Sequence, residues 1–284
     1  MTPAISVLIL TLNEEVNLPR CLESLAWSDD IVVLDSGSTD RTVEIARAAG
    51  ARVVERKLDD WATHQNWAME SIDFRHPWVY YSDADEVVTS ELRDEMMAIA
   101  STATTTDADE PVAYRVRFRN MFLGKWLRFS SLYPTWVLRF FRPERVRWER
   151  LVNPVPTVDG RVGHLRGHFI HYSFNKGLEA WFEKHNRYST REAEETLASL
   201  ANRAVDWVGL VSFSNANRRR RALKEFSFRV PFRPLLRFLY MFVLRGGFLD
   251  GRAGYHYCRM LAWYEYAIVM KAVEMRRRAR GLPI

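Results

Sequence analysis

The chain has 284 residues, 48% hydrophobic and 27% charged, a balance that excludes a disordered protein and suffices for one large core or a core with a helical appendage. Its net charge of +6 conceals a split: residues 215–284 carry 14 Arg and 2 Lys against 4 acids (+12), and residues 1–214 carry 25 basic against 31 acidic groups (−6). Only Cys21 and Cys258 occur, which argues against a disulfide framework and for a reducing compartment.

Ile5 to Leu10 is a continuous apolar run, the pattern of a strand covered on both faces. No basic region precedes it, so no signal peptide is expected. Thr11-Leu12-Asn13-Glu14-Glu15 ends the run, and residues 16–26 read as a helix with Leu18, Leu22 and Leu25 on one face. Ile31 to Leu34 is a second strand, stopped by Asp35-Ser36-Gly37-Ser38-Thr39-Asp40. A helix follows to Ala49, with Ser38 or Thr39 as its expected N-cap and Gly50 as its C-cap. Residues 52–54 form a short strand, 61–72 a helix, and 78–81 a fourth strand ending in Ser82-Asp83-Ala84-Asp85-Glu86. The alternation predicts an α/β, doubly wound, mostly parallel sheet, whose ligands sit beyond the carboxyl ends of the strands. All three polar clusters fall there.

Residues 102–110 read as a polar loop, and 112–119 and 136–141 as strands rich in Arg and aromatics. From Leu178 the pattern is helical, with a break near Pro231 and Pro234. No apolar run reaches the ~18–20 residues that span a bilayer. The longest attempt, Leu235 to Leu249, is broken by Arg237, Arg245 and Gly246-Gly247 and would lie on a membrane rather than cross it. Basic groups interleaved with Phe, Leu and Tyr make an anionic membrane surface, not nucleic acid, the expected partner of residues 215–284, with Arg218 to Arg221 near lipid headgroups.

Asp83-Ala84-Asp85-Glu86 sets three carboxylates in four residues after an apolar strand, which is costly unless something positive sits among them. A hard divalent cation suits oxygen ligands shared with substrate phosphates. The alternative is a helix N-terminus, where acids offset the macrodipole. The strand-end position, in line with two other polar clusters, favours the cation. Thr11 to Glu15 could by itself be a helix start capped by Asn13, and Asp35 to Asp40 a plain turn.

The three clusters in order resemble the family 2 glycosyltransferases of GT-A fold over roughly residues 4–100, with Asp83-Ala84-Asp85 as the DxD motif. The resemblance implies that Thr11, Leu12, Asn13, Glu14, Ser38 and Ala84 line a nucleotide-sugar pocket and that Asp35 reads the base, usually uracil. It implies that Asp85 binds Mn²⁺ or Mg²⁺, that Asp83 joins it or touches the ribose, and that Gln65, Asn66 and His171 approach the donor. Arg139-Phe140-Phe141-Arg142, His171-Tyr172-Ser173-Phe174, His185-Asn186-Arg187-Tyr188-Ser189 and Gly247-Phe248-Leu249-Asp250-Gly251 resemble the lipopolysaccharide-core and capsule glucosyltransferase branch. The implied reaction is inverting transfer of a hexose from a UDP-sugar to a lipid-linked cell-envelope glycan, at the inner face of the cell membrane.

That branch commonly carries Val-His-Glu where this chain has Val152-Asn153-Pro154, and proline cannot act as a base. Glu149 and Asp159 are the nearest carboxylates for deprotonating the acceptor hydroxyl. His168 and His171 point to opposite faces of a strand, against a zinc pair. The stripe Tyr257, Leu261, Tyr264, Ile268 reads as helix packing. A non-catalytic glycosyltransferase-like subunit and a sugar-phosphate nucleotidyltransferase are the rival readings; the latter wants a Gly-rich phosphate loop that Thr11-Leu12-Asn13-Glu14 does not supply. The expected division is a nucleotide-sugar half (1–110), an acceptor half (111–200) and a membrane-associating helical region (201–284).

Overall fold

In a computed structural model that describes residues 5–102, 110–149, 155–201, 206–210, 216–230 and 232–284, the first apolar run forms β1 (Ile5–Thr11), buried at every position. Successive side chains of a strand face opposite ways. Ile5, Val7 and Ile9 therefore enter one core with Leu18, Leu22, Leu25 and Leu92, while Leu8 and Leu10 enter a second with Ala62, Ala68, Val79 and Phe141. Each fully buried Leu, Ile or Phe contributes ~1.5–3 kcal/mol. Two cores explain why β1 is apolar throughout instead of alternating.

The element order continues α1 (Leu18–Leu25), β2 (Ile31–Asp35), α2 (Thr42–Ala48), β3 (Arg52–Glu55), α3 (Trp61–Ser71), β4 (Trp78–Asp83), β5 (Glu86–Val88) and α4 (Ser90–Thr102). It then runs β6 (Ala113–Phe122), β7 (Lys125–Trp126), β8 (Trp136–Phe141), β9 (Val146–Glu149), β10 (Val155–Val158) and β11 (Val162–His171). The main sheet has the order β3-β2-β1-β4-β8-β6-β11-β5, with β7 on β6, and β9–β10 form a separate ribbon. β3, β2, β1 and β4 are parallel, as the βα alternation predicts. β8 is inserted antiparallel between β4 and β6, so β6 and its parallel neighbour β11 run in the direction of β4. The chain reverses its winding between β1 and β4, the point where open α/β sheets bind ligands.

Several local expectations shift. Asn13 does not cap a helix; it sits at φ 55°, and α1 begins at Leu18 after Asn17. Neither Ser38 nor Thr39 caps α2, because Asp40 accepts from the Thr42 N–H at 3.0 Å and from its hydroxyl at 2.5 Å. The acids after β4 occupy a strand–turn–strand corner with α4 starting only at Ser90, so the helix-terminus reading of Asp83 to Glu86 is overturned.

Two compact units divide the chain: residues 1–126 with 133–175, and 127–132 with 176–284. Within the second unit α5 (Gly177–Ala201) packs on α9 (Gly251–Ala279) through Ala193, Ile268 and Ala272. Tyr264 and Ile268 of the expected packing stripe lie at that seam. α6 (Trp207–Leu210), α7 (Ala216–Ser227) and α8 (Arg233–Leu239) complete the helices, followed by a π-type turn at Tyr240–Leu244. Asp250, 2% exposed, accepts from the N–H groups of Arg128, Phe129 and Ser130 and from the Ser130 hydroxyl, binding 127–132 into the second unit. No helix among the described residues is long and apolar enough to cross a membrane.

Candidate active site

The carboxyl ends of β1 and β2 are joined by side chains. Thr11 and Asp35 are register partners, and the Thr11 hydroxyl donates to Asp35 Oδ1 at 2.8 Å. Ser38 Oγ donates to the same oxygen at 2.5 Å, and the N–H groups of Gly37 and Ser38 donate to Oδ2 at 2.9 and 2.7 Å. A carboxylate offers about four acceptor positions, so Asp35 is fully used in holding its own loop. A nucleobase N–H could reach it only if Thr11 or Ser38 turned away. Gly37, at φ 92°, supplies the left-handed turn that aims these donors inward.

The first loop is laced to the second. The Asn13 N–H donates to Ser38 Oγ, Asn13 Oδ1 accepts from the Thr39 N–H, and the Glu14 N–H donates to Thr42 Oγ1, all within 2.7–2.8 Å. Glu14 Oε2 accepts from Asn17 Nδ2 at 2.9 Å. Leu12 is 41% exposed. Beneath the second loop, buried His64 faces Ser36 Oγ at 3.3 Å through Nε2 and Arg56 Nη1 at 2.9 Å through Nδ1. Because Arg can only donate, Nδ1 must accept and Nε2 must carry the proton. Burial, then Arg56, lowers the His64 pKa and keeps the ring neutral. Sequence reading passed over this residue: a lone His in a helix carries no signal until the loop above it is known.

At the tip of β4 three carboxylates meet a cation that local spacing could not reveal. Arg139 of β8, 11% exposed, brings Nη2 to 2.5 Å from both Asp83 Oδ2 and Glu86 Oε1. Its guanidinium lies 4.7 Å from the Tyr81 ring centroid. Glu86 is 2% exposed; burial pushes its carboxyl up to about 8, while Arg139 pulls the other way. Tyr81 hydroxyl links Gln65 Nε2 (3.0 Å) to Asp83 Oδ1 (3.3 Å). Asp85 turns to β11, where His171 Nε2 lies 3.2 Å from Oδ2. Burial lowers the His171 pKa, but Asp85 outweighs it and the net shift is upward. Cys21 packs under Ser82 and Asp83, its thiol held protonated by burial. Asp83, Asp85 and Glu86 thus face Arg139 and the half-buried His171 imidazole at the mouth of the sheet.

Other expected residues are placed differently. Ala84 is buried in the first core, so only its backbone can face a ligand. Asn66 is spent on β9, donating to Trp148 O at 2.9 Å and accepting from its N–H at 2.8 Å. Asp159 is 83% exposed and paired with Arg145 at 2.7 Å. Glu149 ends β9 on an exposed position, opposite Val155. Among the described residues no hydrogen bond or ion pair links either acid to the Asp83–Glu86 cluster. Val152-Asn153-Pro154 lies outside the described residues. His185 stacks on Trp181 at 3.6 Å and its Nδ1 meets Trp181 O at 2.8 Å, a structural role within the second unit.

Residues 6–166 match the model of glycosyl transferase family 2. The lipopolysaccharide core biosynthesis glycosyltransferase LpsC of Rhizobium meliloti (strain 1021) is 29% identical over 203 residues, 69% of this chain and 72% of that protein. An uncharacterized glycosyltransferase of Rickettsia typhi is 29% identical over 204 residues, 67% of each chain. Among solved structures, S. aureus TarS 1-349 aligns at TM-score 0.41 and 17% identity over 94% of this chain and 91% of that one. Glucosyl-3-phosphoglycerate synthase from Mycobacterium tuberculosis, in complex with Mn²⁺ and UDP-glucose, aligns at TM-score 0.33 and 24% identity over 40% and 43%. The family match covers more than half of the chain, and the β3-β2-β1-β4 order with acids at the tip of β4 is that of a GT-A sheet. The chain belongs to glycosyl transferase family 2.

Proposed function

We propose that this protein transfers a hexose, with inversion, from a UDP-sugar to a lipid-linked glycan of the cell envelope, with Mn²⁺ or Mg²⁺ as cofactor. One observation carries the reading: Asp83, Asp85 and Glu86 crowd the tip of β4 beside the Thr11–Asp35 junction, at the point where the sheet reverses its winding. The name of LpsC supports a lipopolysaccharide-type acceptor.

The donor set fits a divalent cation. No group of three His, Cys, Asp or Glu forms a closed cage among the described residues. Mg²⁺ and Mn²⁺ are characteristically held by one or two carboxylates with substrate phosphates completing the shell, so a cage is not required. Asp85 and His171 would hold the ion, with Asp83 at its side. Bound there, it would neutralise the charge that develops on a departing diphosphate.

The chain's own groups divide the remaining work. The laced loops 11–15 and 35–40 form a rigid floor for the nucleotide. Arg139 holds the side chains of Asp83 and Glu86 in place before any ligand arrives, so the site needs no reorganisation on binding. Glu149 is the carboxylate proposed to deprotonate the acceptor hydroxyl; Asp159, solvated and ion-paired, is the weaker candidate. The basic second unit exposes Phe232 (77%) and Leu244 (78%) close to Arg237 and Arg245 in sequence, which supports peripheral attachment to an anionic, cytoplasmic membrane face.

Calorimetric titration with UDP tests the donor reading. Tight binding in Mn²⁺, lost in EDTA and in Asp85→Ala, is expected. Equal binding under all three conditions would sink it.

A further inference from the structure

Strands β6, β7, β8 and β11 together contain five Arg, one Lys and three His but no Asp or Glu, within a unit that is otherwise rich in acids. Arg115, Arg117 and Arg119 are two residues apart on β6 and share one face, opposite Val116 and Phe118, which pack into the first core. Cross-strand partners extend the face: His164 beside Arg115 and His168 beside Arg117 on β11, and Trp136 beside Arg117 on β8.

Aromatic rings alternate with the guanidinium groups. Arg119 lies 4.5 Å from the Trp126 ring centroid, and Arg117 5.9 Å from Trp136 and 6.0 Å from Tyr133. The Nε atoms of Arg117 and Arg119 are buried without a hydrogen-bond partner. None of the three Arg forms an ion pair with a carboxylate among the described residues. Half-buried cations without anions are costly to keep. Arg119 also opens on a depression of about 730 Å³ that it shares with His168, Arg166 and Glu91, while Glu95 there is occupied with the N–H groups of Arg166 and Gly167.

We infer that this ladder binds an anionic saccharide, its phosphate or carboxylate groups on the Arg forks and its sugar faces on the Trp rings. Planar guanidinium matches both anions in a bidentate way, and Trp offers an apolar face with a polar edge to a sugar ring. The direction of the strands supplies the connection to chemistry. β6 and β11 run with β4, so the carboxyl end of the ladder lies at the sheet edge that carries the Asp83–Glu86 cluster; His171, which contacts Asp85, faces the other side of the sheet against Phe118. A saccharide lying along the ladder would reach the carboxylate cluster at its end. Identifying it as the acceptor rests on the transferase reading; the binding itself does not.

The test uses the full chain and the oligosaccharide released by deacylating lipopolysaccharide, as isolated, after phosphatase, and after carboxyl reduction. Calorimetry should show binding that weakens at least about tenfold in the arm that removes the anion recognised. Arg117→Gln and Arg119→Gln should each weaken it similarly, with UDP binding in Mn²⁺ unchanged. Retained affinity in both chemically treated arms overturns the inference without recourse to any variant. So does unchanged affinity in both Gln variants that keep a cooperative melt. Tighter binding of single-stranded DNA, lost in the same variants, would also overturn it by making the face a nucleic-acid surface. Oligosaccharide binding without UDP binding would remove the donor reading and leave the ladder standing.

Discussion

Arg139 and Glu86 lie 53 residues apart in sequence and 2.5 Å apart in space, the acid 2% exposed and the guanidinium 11%. The same Nη2 reaches Asp83, so one side chain from β8 balances two of the three carboxylates at the end of β4. The third, Asp85, is left to His171 and to whatever cation the site takes.

Removing Arg139 leaves buried Glu86 and half-buried Asp83 without their shared partner. Arg139→Met should cost roughly 3–5 kcal/mol in urea unfolding, and the Arg139→Met/Glu86→Gln double variant should recover part of it. A loss below about 1 kcal/mol would show that Glu86 accommodates the change by taking up a proton.

His171→Gln tests the imidazole beside Asp85 apart from the fold around it. The Mn²⁺ concentration that half-saturates UDP binding should rise about tenfold or more. UDP affinity in EDTA should stay as it is in the wild-type chain. A parallel fall in EDTA would mean that His171 contacts the nucleotide instead.

Asp35→Asn removes the charge that gathers Thr11, Gly37 and Ser38. Asn keeps one acceptor oxygen and brings donors into a nest of donors, so stability should fall by about 1–3 kcal/mol. UDP affinity should fall with it, because the nucleotide floor is that loop. Urea unfolding and calorimetry read the two effects separately.

Asp30 gives the pH dependence. Burial acts to raise its carboxyl, but bonds from Ser6, the Arg75 N–H and Arg52 outweigh burial and hold it below the ordinary range. A depressed folded pKa stabilises fully above pH about 4, where the unfolded carboxyl ionises, and is lost as pH falls through the folded value. Asp30→Asn should therefore cost roughly 2–4 kcal/mol at neutral pH. The gap to wild type should narrow below pH about 3, as chemical denaturation across that range would record.

Phe232→Glu with Leu244→Glu changes two side chains that are 77% and 78% exposed, so the thermal melt should hardly move. Sedimentation with vesicles containing anionic lipid should drop severalfold, and so should sedimentation of the wild type in high salt. Unchanged sedimentation would remove the membrane reading of the second unit.

What the sequence determined was local. Apolar runs ending in Thr11, Asp35 and Asp83 announced strands and their tips, because burial on both faces requires continuous hydrophobicity and a loop requires it to stop. From there the parallel half of the sheet, the crevice position and the family were legible. Tertiary structure alone decided which cation answers the acids, because Arg139 arrives on β8, whose antiparallel insertion beside β4 leaves no periodic mark in the chain. It likewise gave Asp35 its partners in its own loop and bound Asn66 to Trp148. Hydrogen bonds and ion pairs are short-ranged in space but indifferent to separation along the chain, so the partners of a polar side chain become readable only after the backbone has brought them together.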